Sequence, residues 1–227
     1  MFDNFFGYEA KRKRLLKKAP EGPIKDFLSI PFPSPKTPID ETPILAVDFE
    51  TTGLKPNKDE ILSIGFISIE FNEILLSSAY HQVICTNGKL DEENVVIHHI
   101  TDDVKSQGEP LHVVVEKLLK DLAGKVMLVH FAYIEKHFLE QACKKLYGMA
   151  PIFPIIDTLV IAKRRLERYS GSFSPAALRL FNLRFQHQLP QYKAHNALSD
   201  ALATAELFLA EIEIKCLSKS PPLKALL

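Results

Sequence analysis

Asp48 and Glu50 stand two positions apart at the end of an apolar run, Ile44-Leu45-Ala46-Val47-Asp48-Phe49-Glu50. On a β-strand, positions two apart face the same side, about 6–7 Å from each other. The two acids therefore project together, with Leu45, Val47 and Phe49 on the opposite side. Adjacent carboxylates on a buried strand repel and lose solvation, so they need a compensating charge. Hard divalent cations bound through oxygen supply one. For a bare Asp-x-Glu pair the alternative is two acids in solvent at a strand end. A second group lies near the other end of the chain, His195-Asn196-Ala197-Leu198-Ser199-Asp200-Ala201. It opens a helix whose apolar stripe is Leu198, Ala201, Leu202, Ala205, Leu209 and Ile212. Asp200 falls off that stripe, in the first turn, where the helix dipole alone favours an acid. His195 precedes the helix on a connection. An imidazole so placed is suited to general-base work at neutral pH; read alone, it is a surface histidine.

These residues need a frame. The spacing predicts strands over 44–50, 61–70 and 74–84, with a hairpin turn at Phe71-Asn72-Glu73. Helices are expected near 91–98 and 111–123, then a short buried strand over 126–130. A helix over 134–147 follows, stopped by Gly148. Ile155-Ile156 reads as another strand, Asp157 as the cap of a helix running through Arg168, and Ser174 as the cap of a helix over 175–181. The last long helix is expected over 196–215. A three-strand meander followed by alternating strands and helices describes an α/β fold, a mixed sheet covered by helices.

The first 43 residues differ from the rest. Lys11, Arg12, Lys13, Arg14, Lys17 and Lys18 crowd into eight residues, and seven prolines lie between 20 and 43. Proline at that density blocks helix continuation and central-strand pairing. Residues 1–43 thus read as an arm, a basic helix and an extended tether, with 44–215 as the main domain. Residues 216–227 read as a flexible tail. The basic run suits a nucleic-acid contact or a solvated helix face.

Lys plus Arg number 28 and Asp plus Glu 28, so the formal net charge is zero. That excludes a protein held to nucleic acid by overall charge. A hydrophobic share of 46% excludes an acidic disordered chain. Cys85, Cys143 and Cys216 lie far apart with no CxxC pair, which argues against disulfides or structural zinc. No apolar run approaches the roughly 20 residues that cross a bilayer. The expectation is a cytoplasmic protein with no membrane partner.

Taken together, the motifs resemble the DEDDh 3′–5′ exonuclease family, a group that includes the epsilon proofreading subunit of bacterial DNA polymerase III and its stand-alone relatives. Asp48-Phe49-Glu50-Thr51-Thr52-Gly53-Leu54 is similar to the family's DxETTGL, and His195 to Ala201 resembles its HxAxxDA. The likeness covers about 44–212. The family's middle motif, HNAxFDxxFL, is represented by His130-Phe131-Ala132-Tyr133-Ile134-Glu135-Lys136-His137-Phe138-Leu139. Glu135 stands in the aspartate's place and Phe131 in the asparagine's. Ile97-His98-His99-Ile100-Thr101-Asp102 is similar to the family's IHGIT segment, and Asp157-Thr158-Leu159 to its DTL. Asp102 and Asp157 themselves read as turn or cap residues. Lys163, Arg164, Arg165 and Arg168 suit substrate phosphates or a solvated face, and His98, His99, His112 and His187 show no ligand spacing.

The resemblance implies a ribonuclease H-like five-stranded mixed sheet flanked by helices. It implies two divalent cations, Mg²⁺ or Mn²⁺, held by Asp48, Glu50, Glu135 and Asp200, with His195 as general base. Thr51, Thr52, Gly53 and Leu54 would hold the terminal nucleotide. The implied reaction is hydrolysis at the 3′ end of single-stranded nucleic acid, DNA favoured, releasing nucleoside 5′-monophosphates. A polymerase or another replication or repair protein is a candidate partner. Two other readings share the fold, an RNA or short-oligoribonucleotide exonuclease and a catalytically weak nucleic-acid-binding module.

Overall fold

The computed structural model describes residues 4–86, 100–169, 171–215 and 220–227. Its sheet comprises β1 (Ile44–Thr51), β2 (Ile61–Glu70), β3 (Glu73–Val83), β4 (Val126–Val129) and β5 (Ile155–Asp157). Their order is β3-β2-β1-β4-β5. The β1/β2 and β2/β3 pairs are antiparallel, while β1/β4 and β4/β5 are parallel. This is the mixed five-stranded sheet expected. The β2–β3 turn holds Phe71 and Asn72 at φ 52° and 60°, the left-handed pair that suits a two-residue hairpin.

The helices described are α1 (Asn4–Leu16), α2 (Pro23–Ser29), α3 (Asp102–Ser106), α4 (Leu111–Leu122), α5 (Tyr133–Tyr147), α6 (Thr158–Tyr169), α7 (Leu180–Gln186) and α8 (Ala197–Lys215). The helix expected near 91–98 lies outside the described residues. None of the described helices is long and apolar enough to cross a membrane.

β1 is the central strand, and its two faces meet different layers. Leu45, Val47 and Phe49 join the core that includes Val114, Leu118, Phe138 and Leu139 of α4 and α5. Ile44 and Ala46 join the core that includes Ala205, Phe208 and Ile212 of α8. By the two-residue period, Asp48 and Glu50 continue the Ile44–Ala46 face, toward α8.

Three expectations need correction. The arm is not a bare tether: Ile24, Phe27 and Leu28 of α2 are essentially fully buried in the main core, where the Phe27 ring lies 5.5 Å from that of Phe153. Their i, i+3, i+4 spacing makes one apolar helix face, and proline at the first helical position starts the helix without disrupting it. The described part of the tail is not frayed. Ile39 N–H donates to Pro221 O at 2.9 Å, Leu223 N–H to Thr37 O at 2.9 Å, and Leu223 and Leu226 are buried. The helix expected over 175–181 is split: a 3₁₀ turn spans Pro175–Leu178, and Arg179 is extended (φ −65°, ψ 140°) before α7 begins.

Candidate active site

Asp48 and Glu50 meet α8 at its N-terminus. Asn196 caps that helix, its Oδ1 accepting from Ser199 N–H at 3.1 Å. The Asp200 carboxylate reaches back past the cap, and its Oδ2 accepts from His195 N–H at 2.9 Å. That bond folds the preceding chain over the helix start and holds His195 at φ 67°, in the left-handed region. Glu50, His195 and Asp200 each present a ligand atom, all within 4.8 Å of one another. Glu50 and Asp200 are buried, while His195 is exposed.

The approach of α8 depends on Gly65. A Cβ there would lie 2.2 Å from the Ala197 carbonyl carbon and 2.2 Å from Leu198 N. Composition and periodicity carry no sign of this requirement. Arg184 anchors the other side. Fully buried, it donates to Ala203 O of α8 at 2.7 Å and to Pro190 O at 2.6 Å, and pairs with Glu206 at 2.7 Å. It thus ties α7 and α8 to the segment leading to His195.

Glu135 enters from α5. It lies in the first turn and is only 3% exposed. Burial pushes its carboxyl up to about 8, helped by the Asp157 and Glu50 charges and opposed by hydrogen bonds from its own backbone and that of Phe49. Its Oε2 is buried and accepts no hydrogen bond among the described residues. Asp48 is raised well above the usual carboxylate range by burial, then by Glu135, Glu50 and Asp200. Four carboxylates thus converge, with Glu50, Glu135 and Asp200 buried and Asp48 half-buried, where proteins seldom place charge. Two of them are driven toward the protonated form in the absence of cations. An oxygen-rich set with a buried, unsatisfied acceptor fits hard divalent cations.

Asp157 does more than cap. Its carboxylate accepts from Leu159 N–H at 2.9 Å, and also from Phe131 N–H at 3.0 Å and Ala132 N–H at 2.9 Å. It therefore fixes the turn between β4 and α5 from which Glu135 projects. His130 braces the same turn through Thr158 Oγ1 at 2.8 Å and Leu178 O at 3.0 Å, and burial lowers its pKa.

The segment after β1 is closed by internal bonds. Thr51 Oγ1 donates to Gly53 O at 2.7 Å, Thr52 N–H to Glu60 O at 3.0 Å, and Glu60 N–H to Thr52 Oγ1 at 2.9 Å. Gly53 leaves room for Asp59, whose Oδ2 would lie 2.5 Å from an added Cβ and accepts from Lys55 N–H at 2.7 Å. Leu54 is exposed. Of the basic residues, Arg165 is held by buried Glu211 at 2.9–3.0 Å, and Arg12 turns inward to Glu9 and Leu28 O. Neither guanidinium is presented to a phosphate. Arg164, Arg168 and Lys163 are exposed.

An exonuclease family model, RNase T, matches residues 45–208. The chain is 32% identical over 170 residues to DNA polymerase III PolC-type of Thermotoga petrophila, covering 75% of this chain and 12% of that protein. The chain thus spans about an eighth of that relative. It is 29% identical to DNA polymerase III subunit epsilon of Treponema pallidum, covering 74% of this chain and 75% of that protein. The nuclease domain of 3′hExo, a DEDDh family member solved bound to rAMP, superposes with a TM-score of 0.64 at 16% identity. That match covers 79% of this chain and 96% of the other, and it shows the shared fold. With the family model spanning both carboxylate motifs and the sheet that carries them, the chain belongs to the RNase T exonuclease family.

Proposed function

We propose that the protein is a metal-dependent 3′–5′ exonuclease that removes nucleoside 5′-monophosphates from single-stranded nucleic acid. One observation carries the reading. Asp48 and Glu50 of β1, Glu135 of α5 and Asp200 of α8 converge at one end of the sheet, and Asp200 holds His195 beside them. The four carboxylates would hold two divalent cations, Mg²⁺ or Mn²⁺, whose four positive charges balance their own. Such ions, when bound, supply Lewis-acid charge to the attacking water and to the departing 3′ oxygen.

The chain's own residues supply the remainder. His195, exposed at the mouth of the cluster, takes the proton from the attacking water. Its backbone bond to Asp200 limits where the imidazole can reach. Thr51, Thr52, Gly53 and Leu54, in a segment already closed on itself, offer a firm seat for the terminal nucleotide, with exposed Leu54 against its base. Glu135 keeps the negative charge at the end of a longer side chain than aspartate, and its buried position supports a role in holding the cluster's cations.

The relatives named as DNA polymerase III subunits favour DNA as substrate and a polymerase as partner, in the cytoplasm. The test is a 5′-labelled single strand incubated with Mg²⁺ or with chelator, beside an Asp48→Ala control. Metal-dependent 3′ shortening absent from the control supports the proposal, and its absence from both proteins ends it. Matched DNA and RNA strands distinguish the substrate through the 2′-hydroxyl.

A further inference from the structure

Phe131, Tyr133 and His137 form a short aromatic ladder at the start of α5. The Phe131 and Tyr133 rings stack with centroids 6.0 Å apart and planes 29° from parallel, and the His137 ring lies 4.6 Å from Tyr133. Phe131 and Tyr133 are 47% and 46% exposed. Two half-exposed aromatic faces side by side are unusual for a surface with no ligand, because such rings gain most from burial.

The position of the ladder bears on the cluster. β4 runs parallel to β1 beside it, so the C-terminal ends of both strands lie at one edge of the sheet. Asp48 and Glu50 stand at the end of β1, and Phe131 follows the end of β4. Glu135 is two residues beyond Tyr133 and turns inward, so the ladder occupies the outer side of the helical turn that carries Glu135. Phe131 is also held firmly. Its φ of 74° is a costly setting for a bulky side chain. The Asp157 carboxylate maintains that setting by accepting from both Phe131 and Ala132 N–H. Strain retained at an exposed aromatic beside a reaction site points to use of that side chain. Lys136, exposed on the next position, offers a cation to a phosphate.

We propose that Phe131 and Tyr133, backed by His137, form a base-stacking platform for the unpaired strand that leads to the carboxylate cluster. The proposal rests on the exonuclease reading and deepens it. Every base has a π-face, so such a platform grips a strand without reading its sequence. It also suits a chain of zero net charge, which has no overall attraction for phosphate.

The test uses the full chain in an Asp48→Asn background and a DNA decanucleotide carrying 2-aminopurine a few positions from its 3′ end. Stacking quenches that fluorophore without turnover. The platform predicts quenching on binding, loss of quenching in Phe131→Asn and Tyr133→Leu, and about ten-fold weaker binding in each, the scale of one lost stack. Asparagine tolerates the left-handed backbone, so Phe131→Asn is expected to melt no lower than its parent. In the Asp48-containing enzyme, the KM advantage of the decanucleotide over a dinucleotide is expected to shrink by a similar factor. Quenching and length dependence that both survive ring removal would overturn the platform. A protein that cleaves neither strand refutes the exonuclease reading instead, while the quench still decides the platform.

Discussion

Gly65 of β2 lies directly across from Asp48 of β1 in the antiparallel register, and the first residues of α8 rest on it. The missing side chain sets how near Asp200 and His195 come to Asp48 and Glu50. The atoms that a Cβ would meet are backbone, at 2.2 Å, and no rotamer change can move them aside. Gly65→Ala is therefore expected to displace the start of α8. A displacement of about 1 Å costs on the order of 10²-fold in rate, so kcat for strand shortening should fall by about that factor. Melting should fall by several degrees in parallel. An alanine variant with full activity would show that the close approach is dispensable.

The hydrogen bond from His195 N–H to Asp200 separates two roles that share one loop. Replacing the imidazole leaves that backbone bond and all four carboxylates in place. His195→Ala should therefore lose about 10²–10⁴-fold in kcat, the range of general-base contributions, yet still gain thermal stability from Mg²⁺. Asp48→Ala should lose both. A His195→Ala protein that no longer responds to Mg²⁺ in melting would make His195 a ligand and not a base.

The sheet was legible because its strands are apolar runs bounded by turn residues; the end of β2 at Glu70 follows from the Phe71-Asn72 turn. The pairing of Asp48 with Glu50 was legible because residues two apart on a strand share a face. What the chain does at a distance was not. Gly65 looks like any strand glycine until α8 lies on it. Arg12 and Arg165 look like their neighbours in basic runs, and only the fold turns them toward Leu28 O and Glu211. Asp157 reads as a local cap, and its second duty to Phe131 and Ala132 spans a parallel strand pair. The buried tail is a milder case. Leu223 and Leu226 have the spacing of one helical turn, a signal outweighed by Pro221 and Pro222 when the segment is read alone.

That tail has a measurable weight. Leu223 is fully buried against a core that includes Ile39, Ile44, Phe208 and Ile212. Leu223→Ala removes those contacts and leaves a cavity, so about 2–5 kcal/mol of stability should be lost. Chemical denaturation measures this directly. A loss under about 0.5 kcal/mol, typical of surface changes, would mean that the segment detaches in solution.

The buried acids link stability to pH with a definite sign. The Glu135 carboxyl sits at about 8 in the fold against an ordinary 4.5, and Asp48 is raised in the same direction. The folded protein therefore binds protons that the unfolded chain has already released. In the absence of metal, this contribution is complete below about 4.5 and is lost as pH rises through about 8. Metal-free protein should thus melt lower at pH 8 than at pH 5.5. Mn²⁺ should raise melting more at pH 8, because cations replace the lost protons as the counter-charge. Other groups also titrate in this window, so the informative comparison is with Glu135→Gln. Its amide carries no charge at either pH. The variant should show a flatter pH dependence without metal, a melting point at pH 8 higher than wild type by several degrees, and a smaller Mn²⁺ response. About 2–4 °C corresponds to 1 kcal/mol in a chain of this size. If wild type and Glu135→Gln keep the same pH slope in chelator, Glu135 is not the buried titrating acid that the convergence of β1, α5 and α8 requires.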